Sequence, residues 1–314
     1  MAVEKFTLIQ KERLGRLEPA LKKAVLRGDL NSIKSIIIDL QSMYLATGNE
    51  AKLLMAKNRW LEVEMDQGNL VTAERGLIGI RIKANNKTRV YLEATTLLAI
   101  CYLRSNTLEK AEPLIKEVLT NDTVIKSPER RLDFRRLVIE RFDEEAVLYA
   151  IKSERISELI SDTEMIMSEA VNLAGTYSTD KLYENLGLKI PKIAKDILSR
   201  VDTFSKRQLP SAERLKLPSP TLSHEDKKVG KTVFSSIKRN LYKSLCDKEG
   251  DINKKINTGL LSIQTTLTVA VTEVFNKLNI GIKIFLVNVL AIIIKLGLDV
   301  YCDMYKPVDV MDLR

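Results

Sequence analysis

A six-residue pattern returns three times within the first 111 positions of this 314-residue chain, and paired helices accommodate it better than any other local structure. Gly28-Asp29-Leu30-Asn31-Ser32-Ile33 aligns with Gly68-Asn69-Leu70-Val71-Thr72-Ala73 and with Asn106-Thr107-Leu108-Glu109-Lys110-Ala111, at spacings of 40 and then 38 residues. In each copy an apolar residue follows the leucine by seven positions (Ile37, Leu77, Ile115) and another by ten (Leu40, Ile80, Val118), offsets that share one face of a 3.6-residue helix. The leading Gly or Asn marks where a helix stops on a positive φ, and the polar residue behind it is placed to start the next helix. Ile33, Ala73 and Ala111 are expected to face the preceding helix, where side-chain bulk sets how closely two axes approach.

Composition agrees with helices. Aromatics make up only 5% of the chain, and 13 Gly with 8 Pro are too few to punctuate a β-sandwich or barrel. The expected fold class is all-α. Residues 129–173 contain neither Gly nor Pro and read as one or two long helices, with Gly175 as a stop. A further helical piece over 180–204 is interrupted by Gly187 and Pro191 and is placed to cap the array.

The run Leu98-Ala99, Tyr102, Asn106-Thr107-Leu108, Ala111, Ile115, Val118 resembles the tetratricopeptide repeats, and Gly68-Asn69-Leu70, Ala73, Leu77 is similar to the second half of that motif. The likeness covers about residues 15–125. Departures are the longer period, Leu61 and Glu64 in place of a small residue and Tyr, and Pro113 inside one second helix, tolerable if it falls in the first turn. The resemblance implies a concave face that holds a protein or peptide, lined by the first helix of each pair. Aligned residue by residue, it implies Asn58, Glu62, Thr96 and Ile100 as groove positions.

Beyond residue 205 the chain changes character. Residues 206–230 hold Pro210, Pro218 and Pro220 with few bulky apolar groups, and read as a linker or disordered loop between a 1–205 repeat domain and a 231–314 helical domain. Of the net charge of +9, the share borne by residues 206–258 is 13 Lys and Arg against 6 Asp and Glu. Within it, Phe234, Ile237, Leu241 and Leu245 share a helical face, with Lys231, Lys238, Arg239 and Lys243 mainly away from it. Such a helix suits a packed surface, a partner or an anionic membrane. Two apolar segments follow, expected to pair as a hairpin of 255–278 against 280–303 turning near Asn279-Gly281. The second is long enough for a bilayer. Asn288, Lys295 and Asp299, spaced by 7 and 4, would share one face and let Lys295 pair with Asp299, which argues for burial in protein.

Counting removes several chemistries. His224 is the single histidine, so histidine triads and multi-histidine metal sites lack their parts. Cys101, Cys246 and Cys302 are odd in number and far apart, giving neither a zinc knuckle nor a disulfide framework. With no apolar signal stretch behind Met1, a reducing, cytoplasmic location is expected, joined by peripheral or conditional membrane association under the bilayer reading. Gly230-Lys231-Thr232 has the tail of a phosphate loop, but Glu225 stands where the first glycine is required. Arg130, Arg131, Arg135 and Arg136 form the densest basic cluster of the front half, suited to carboxylate or phosphate, with Glu129, Asp133 and Glu140 interleaved.

No enzyme activity, metal or cofactor is expected. The primary reading is a scaffold or adaptor that binds a protein or peptide in the concave face. The alternative is a membrane-acting effector whose residues 231–303 insert when released. Nucleic-acid binding is a third reading and rests on charge alone.

Overall fold

The computed structural model describes residues 6–153, 162–207, 209–215, 226–246, 263–278, 280–281, 283–306, 308 and 310–312. Among these residues the regular elements are all helical, and no strand occurs. The chain divides into two compact units, Met1–Val138 with Asp309–Arg314, and Ile139–Val308.

The first unit contains α1 (Leu8–Arg27), α2 (Leu30–Ala46), α3 (Glu50–Asp66), α4 (Leu70–Lys83), α5 (Arg89–Arg104) and α6 (Leu108–Thr120). Each packs on the next, and α3 also lies against α5. The positions aligned from sequence behave alike: Ile33, Ile37 and Leu40 on α2, Ala73, Leu77 and Ile80 on α4, and Ala111, Ile115 and Val118 on α6 are all buried. The turns share one geometry as well. Gly28, Gly68 and Asn106 adopt φ of 68°, 84° and 57°, and Gly48, which the alignment omits, adopts 67°. At these turns the next residue's N–H reaches back across the helix end, Asp29 to the Ala24 carbonyl, Asn49 to Tyr44, Asn69 to Glu64 and Thr107 to Tyr102. That pairing satisfies carbonyls the helix would otherwise leave open.

Two local expectations are corrected. Of the residues placed to start helices, Asp29 does so, its carboxylate accepting the Ser32 N–H at 3.1 Å, whereas Asn69 donates its amide to Glu64 and makes no side-chain cap. Pro113 falls in the second turn of α6 and not the first. There its ring removes a donor toward Glu109, a loss α6 offsets with a strongly one-sided buried face of Ala111, Leu114, Ile115, Val118 and Leu119.

The division into units falls inside α7 (Pro128–Ser153), not at residues 206–230. The proline-containing stretch instead runs within the second unit, from α10 (Lys192–Arg207) through the single turn α11 (Ser211–Arg214) to α12 (Asp226–Leu245), with 216–225 outside the described residues. The physical reason is the packing of α9 (Thr179–Leu188) on α12, which joins the two sides of that stretch in one core. A Cβ at Gly187 would overlap the Asp226 carbonyl, and one at Gly230 would overlap the Tyr183 carbonyl, so the two backbones meet directly. Gly230 is therefore a packing glycine within a helix.

The hairpin forms over shorter spans, α13 (Ile263–Lys277) and α14 (Lys283–Leu296), while 255–262 and Asn279 lie outside the described residues. The apolar run Phe285–Ile293 of α14 is buried, chiefly under α8 (Thr163–Thr176) and α9. At Gly297, φ 81°, the chain turns and α15 (Leu298–Met304) leaves at 95° to α14. Asp299 thus does not share a helix with Lys295, and the expected pair does not form. Lys295 Nζ donates instead to the Ala174 carbonyl at 2.9 Å, placing a cation at the C-terminal end of α8. No single helix among the described residues is long and apolar enough to cross a membrane. The cysteine expectation is also overturned, because Cys246 and Cys302 form a disulfide with Cα atoms 5.6 Å apart, while Cys101 is buried outside the bridge, its Sγ donating to the Leu70 carbonyl at 3.5 Å. Cysteine usage therefore no longer argues for a reducing compartment.

Candidate functional site

The four groove positions taken from the resemblance do come together on α3 and α5, but they are enclosed rather than open. Asn58, Thr96 and Ile100 have no exposed surface and Glu62 retains 4%. Part of the enclosure is local: Asn58 Nδ2 donates to the Val90 carbonyl of α5 at 3.2 Å, and Thr96 Oγ1 folds back on the Leu92 carbonyl at 2.9 Å. The same two helices also carry a segment from the far end of the chain. Val310–Asp312 forms a single 3-10 turn that packs on both α3 and α5 within the first unit.

That turn is held by both apolar and polar contacts. Val310 and Met311 are buried, and Arg59 Nη2 donates to the Met311 carbonyl at 3.1 Å. A guanidinium with several donors in one plane can fix a backbone carbonyl without regard to the side chain that carries it. Asn58 Oδ1 is buried with no hydrogen-bond partner among the described residues. Arg59 and residues 310–312 were not singled out from sequence. The available signal was the apolar Val310-Met311 pair set between acidic residues at the end of a charged tail.

The arginine cluster does not form one face. Arg135 is buried on the Asp122 carboxylate, where both ends of its guanidinium find an oxygen. Arg131 Nε donates to the Ile125 carbonyl at 3.1 Å, and Arg130 and Arg136 remain exposed. Two of the four thus fasten the start of α7 to the turn before it.

The amphipathic face of α12 is as expected, with Phe234, Ile237, Leu241 and Leu245 all buried. Its cations are mostly engaged within the second unit. Lys238 Nζ lies 3.0 Å from Glu144, Arg239 Nη2 donates to the Val308 carbonyl at 3.0 Å, and Lys231 Nζ stands 5.7 Å from the Tyr183 ring centre. The side chain of Lys243 lies outside the described residues. No group of three or more His, Cys, Asp or Glu among the described residues could hold a metal ion. No family model, curated protein or solved structure matches the chain.

Proposed function

We propose that the first unit is a tetratricopeptide-like interaction scaffold that receives a peptide segment along α3 and α5. The observation that supports this reading is the seat of Val310–Asp312 on those helices, with two apolar side chains buried and a carbonyl held by Arg59. A surface that packs a three-residue turn of its own chain has the shape and donors to pack a like segment of a partner: two adjacent apolar residues followed by an acid. The chain's own segment then competes with the partner, as an intramolecular ligand present at high effective concentration.

A labelled peptide of residues 306–314, added to a chain ending at Val308 and to the full chain, tests the proposal. The shortened chain is expected to bind the peptide saturably and the full chain much more weakly. Arg59→Ala in the shortened chain should weaken binding about tenfold, the scale of one hydrogen bond from a charged donor. A folded shortened chain that ignores the peptide overturns the proposal.

A further inference from the structure

The outer side of α4 carries an apolar stripe that the fold leaves uncovered. Ile78 and Ile82 follow Val71 by 7 and 11 positions, offsets that share one helical face, and the three keep 37%, 79% and 63% of their surface exposed. That face is opposite Ala73, Leu77 and Ile80, which α4 buries in its packing on α3 and α5. Single exposed aliphatic groups are ordinary, but several aligned on one face mark a contact surface.

Charge indicates what the contact is with. Between Glu74 and Glu93 the chain has five Lys and Arg and no Asp or Glu. Two of the five are neutralised within the fold, Arg81 by Glu117 at 2.8 Å and Arg89 by Glu93 at 3.1 Å. Arg75, on the same face as the stripe, and Lys83 and Lys87 at its end are exposed and meet no carboxylate among the described residues. Lys57 of α3 adds to this gathering: burial first, and then the like charge of Lys83, hold its ammonium below the ordinary range, with Glu50 opposing. Cations assembled without acids repel one another, and an anionic surface relieves that repulsion.

Shape narrows the choice further. A Cβ built at Gly79, beside the stripe, meets no atom within 4 Å, so the stripe is a ridge without walls. A helical peptide docks by laying its apolar face into a groove. Single-stranded nucleic acid stacks its bases on aromatic rings, and α4 has no aromatic residue. A bilayer interface accepts a ridge, because aliphatic side chains sink toward the acyl chains while flanking cations meet the headgroup phosphates.

We infer that the outer face of α4 docks on an anionic lipid bilayer, with Val71, Ile78 and Ile82 entering the acyl boundary and Arg75, Lys83 and Lys87 at the level of the phosphates. The contact uses none of the residues that hold Val310–Asp312, and it stands whether or not that seat receives a partner.

The test floats the full chain with vesicles of phosphatidylcholine alone and with vesicles containing about 30% phosphatidylglycerol. Binding to the anionic vesicles is expected to be at least about tenfold tighter than to the neutral ones. Arg75→Gln, Lys83→Gln and Lys87→Gln together should weaken it about hundredfold, at roughly the worth of one headgroup contact for each cation. Ile78→Ser with Ile82→Ser should weaken it about tenfold, since apolar area no longer leaves water. Both variants change exposed positions, and retention of the parent's helical circular dichroism shows that they fold. Equal binding to neutral vesicles, or parent-like binding by either folded variant, would overturn the inference by placing the contact elsewhere on the chain. Absence of flotation would overturn it too, and would leave the stripe to an acidic protein surface.

Discussion

A glycine within a helix ordinarily weakens it, and substitution by alanine at an open position stabilises by about 1 kcal/mol. Gly79 on α4 is such a position, with nothing near a Cβ built there, whereas at Gly230 the Cβ would overlap the Tyr183 carbonyl of α9. Gly79→Ala is therefore expected to raise unfolding stability by about 0.5–1 kcal/mol. Gly230→Ala should lower it by about 3 kcal/mol, because backbone cannot swing aside as a side chain can. Denaturant midpoints measure both, and a neutral Gly230→Ala would refute the close α9–α12 approach. The glycines at the array turns were legible because a positive φ is a local demand that a sequence pattern carries. Gly187 and Gly230 were not, since the reason for each lies on another helix, at Asp226 and Tyr183 respectively, far away in sequence. Asp143 shows the same dependence on distant neighbours. Burial first, then the nearby Asp202 and the charges of Glu144 and Glu140, push its carboxyl well above the ordinary range, with Lys206 opposing them. Its Oδ1 has no partner among the described residues. A raised carboxyl means that the folded chain holds a proton the unfolded chain gives up, so this contribution is intact below about pH 4 and is lost as pH rises through the folded value. Asp143→Asn, neutral throughout, should be more stable than the parent at pH 7–8 by about 1 kcal/mol or more and should converge with it near pH 4. Parallel stability curves for the two proteins over that range would contradict the assignment.

Periodicity placed the helices well wherever neighbours in sequence are also neighbours in space, as along α1–α6. It was less informative on α14, where a continuous apolar run concealed the break at Gly297 that sends α15 off at 95°. Lys295 and Asp299 flank that bend, but a spacing of four suits one continuous helix equally well, so their polarity did not mark the corner. The disulfide was hidden for a related reason. Cys246 directly follows α12 and Cys302 lies on α15, which the bend returns toward α12, where Tyr301 Oη donates to the Lys238 carbonyl at 3.2 Å. Phe234 of α12 packs edge-on against Tyr301 and Tyr305 beside the same junction. The bridge closes a loop across 56 positions, for which chain entropy alone implies about 4 kcal/mol. Reduction, or the double change Cys246→Ser with Cys302→Ser, should therefore lower the unfolding free energy by about 2–4 kcal/mol while helical content is retained. Unfolding curves with and without reductant report the change. Identical curves for oxidised parent and double variant would show that the bridge contributes nothing.

At the level of the whole chain, composition suggested a boundary where prolines and lysines gather, and contacts place it elsewhere. Fold class was legible, since helical spacing and scarce turn residues are properties of the sequence itself. That Asn58, Glu62, Thr96 and Ile100 are buried was not legible, because the packing of α3 on α5, and of residues 310–312 on both helices, joins segments distant in sequence. The basic excess of residues 206–258 similarly gave no sign of its internal partners. Lys227 meets Asp180 at 2.6 Å and Lys195 meets Asp226 at 2.9 Å, so charges on both sides of the proline stretch hold α12 to α9 and α10. This arrangement bears on what can fold alone. A fragment of residues 226–308 keeps α12 to α15 and the disulfide, yet it loses α9, the most extensive neighbour of α12, and α8, the main cover of α14. Val233, Phe234 and Ile237 on α12 and Phe285–Ile293 on α14 would then face water, and each large apolar side chain left exposed forfeits about 1.5–3 kcal/mol. Several such losses exceed the whole stability of an ordinary domain, about 5–15 kcal/mol. The fragment is expected to lack a cooperative thermal transition and to bind a hydrophobic dye, while co-expressed residues 128–215 should restore the transition by returning α8, α9 and α10. A fragment of residues 226–308 that melts cooperatively by itself would mean that α12 to α15 form a domain of their own, and that the proline stretch is the boundary its composition suggests.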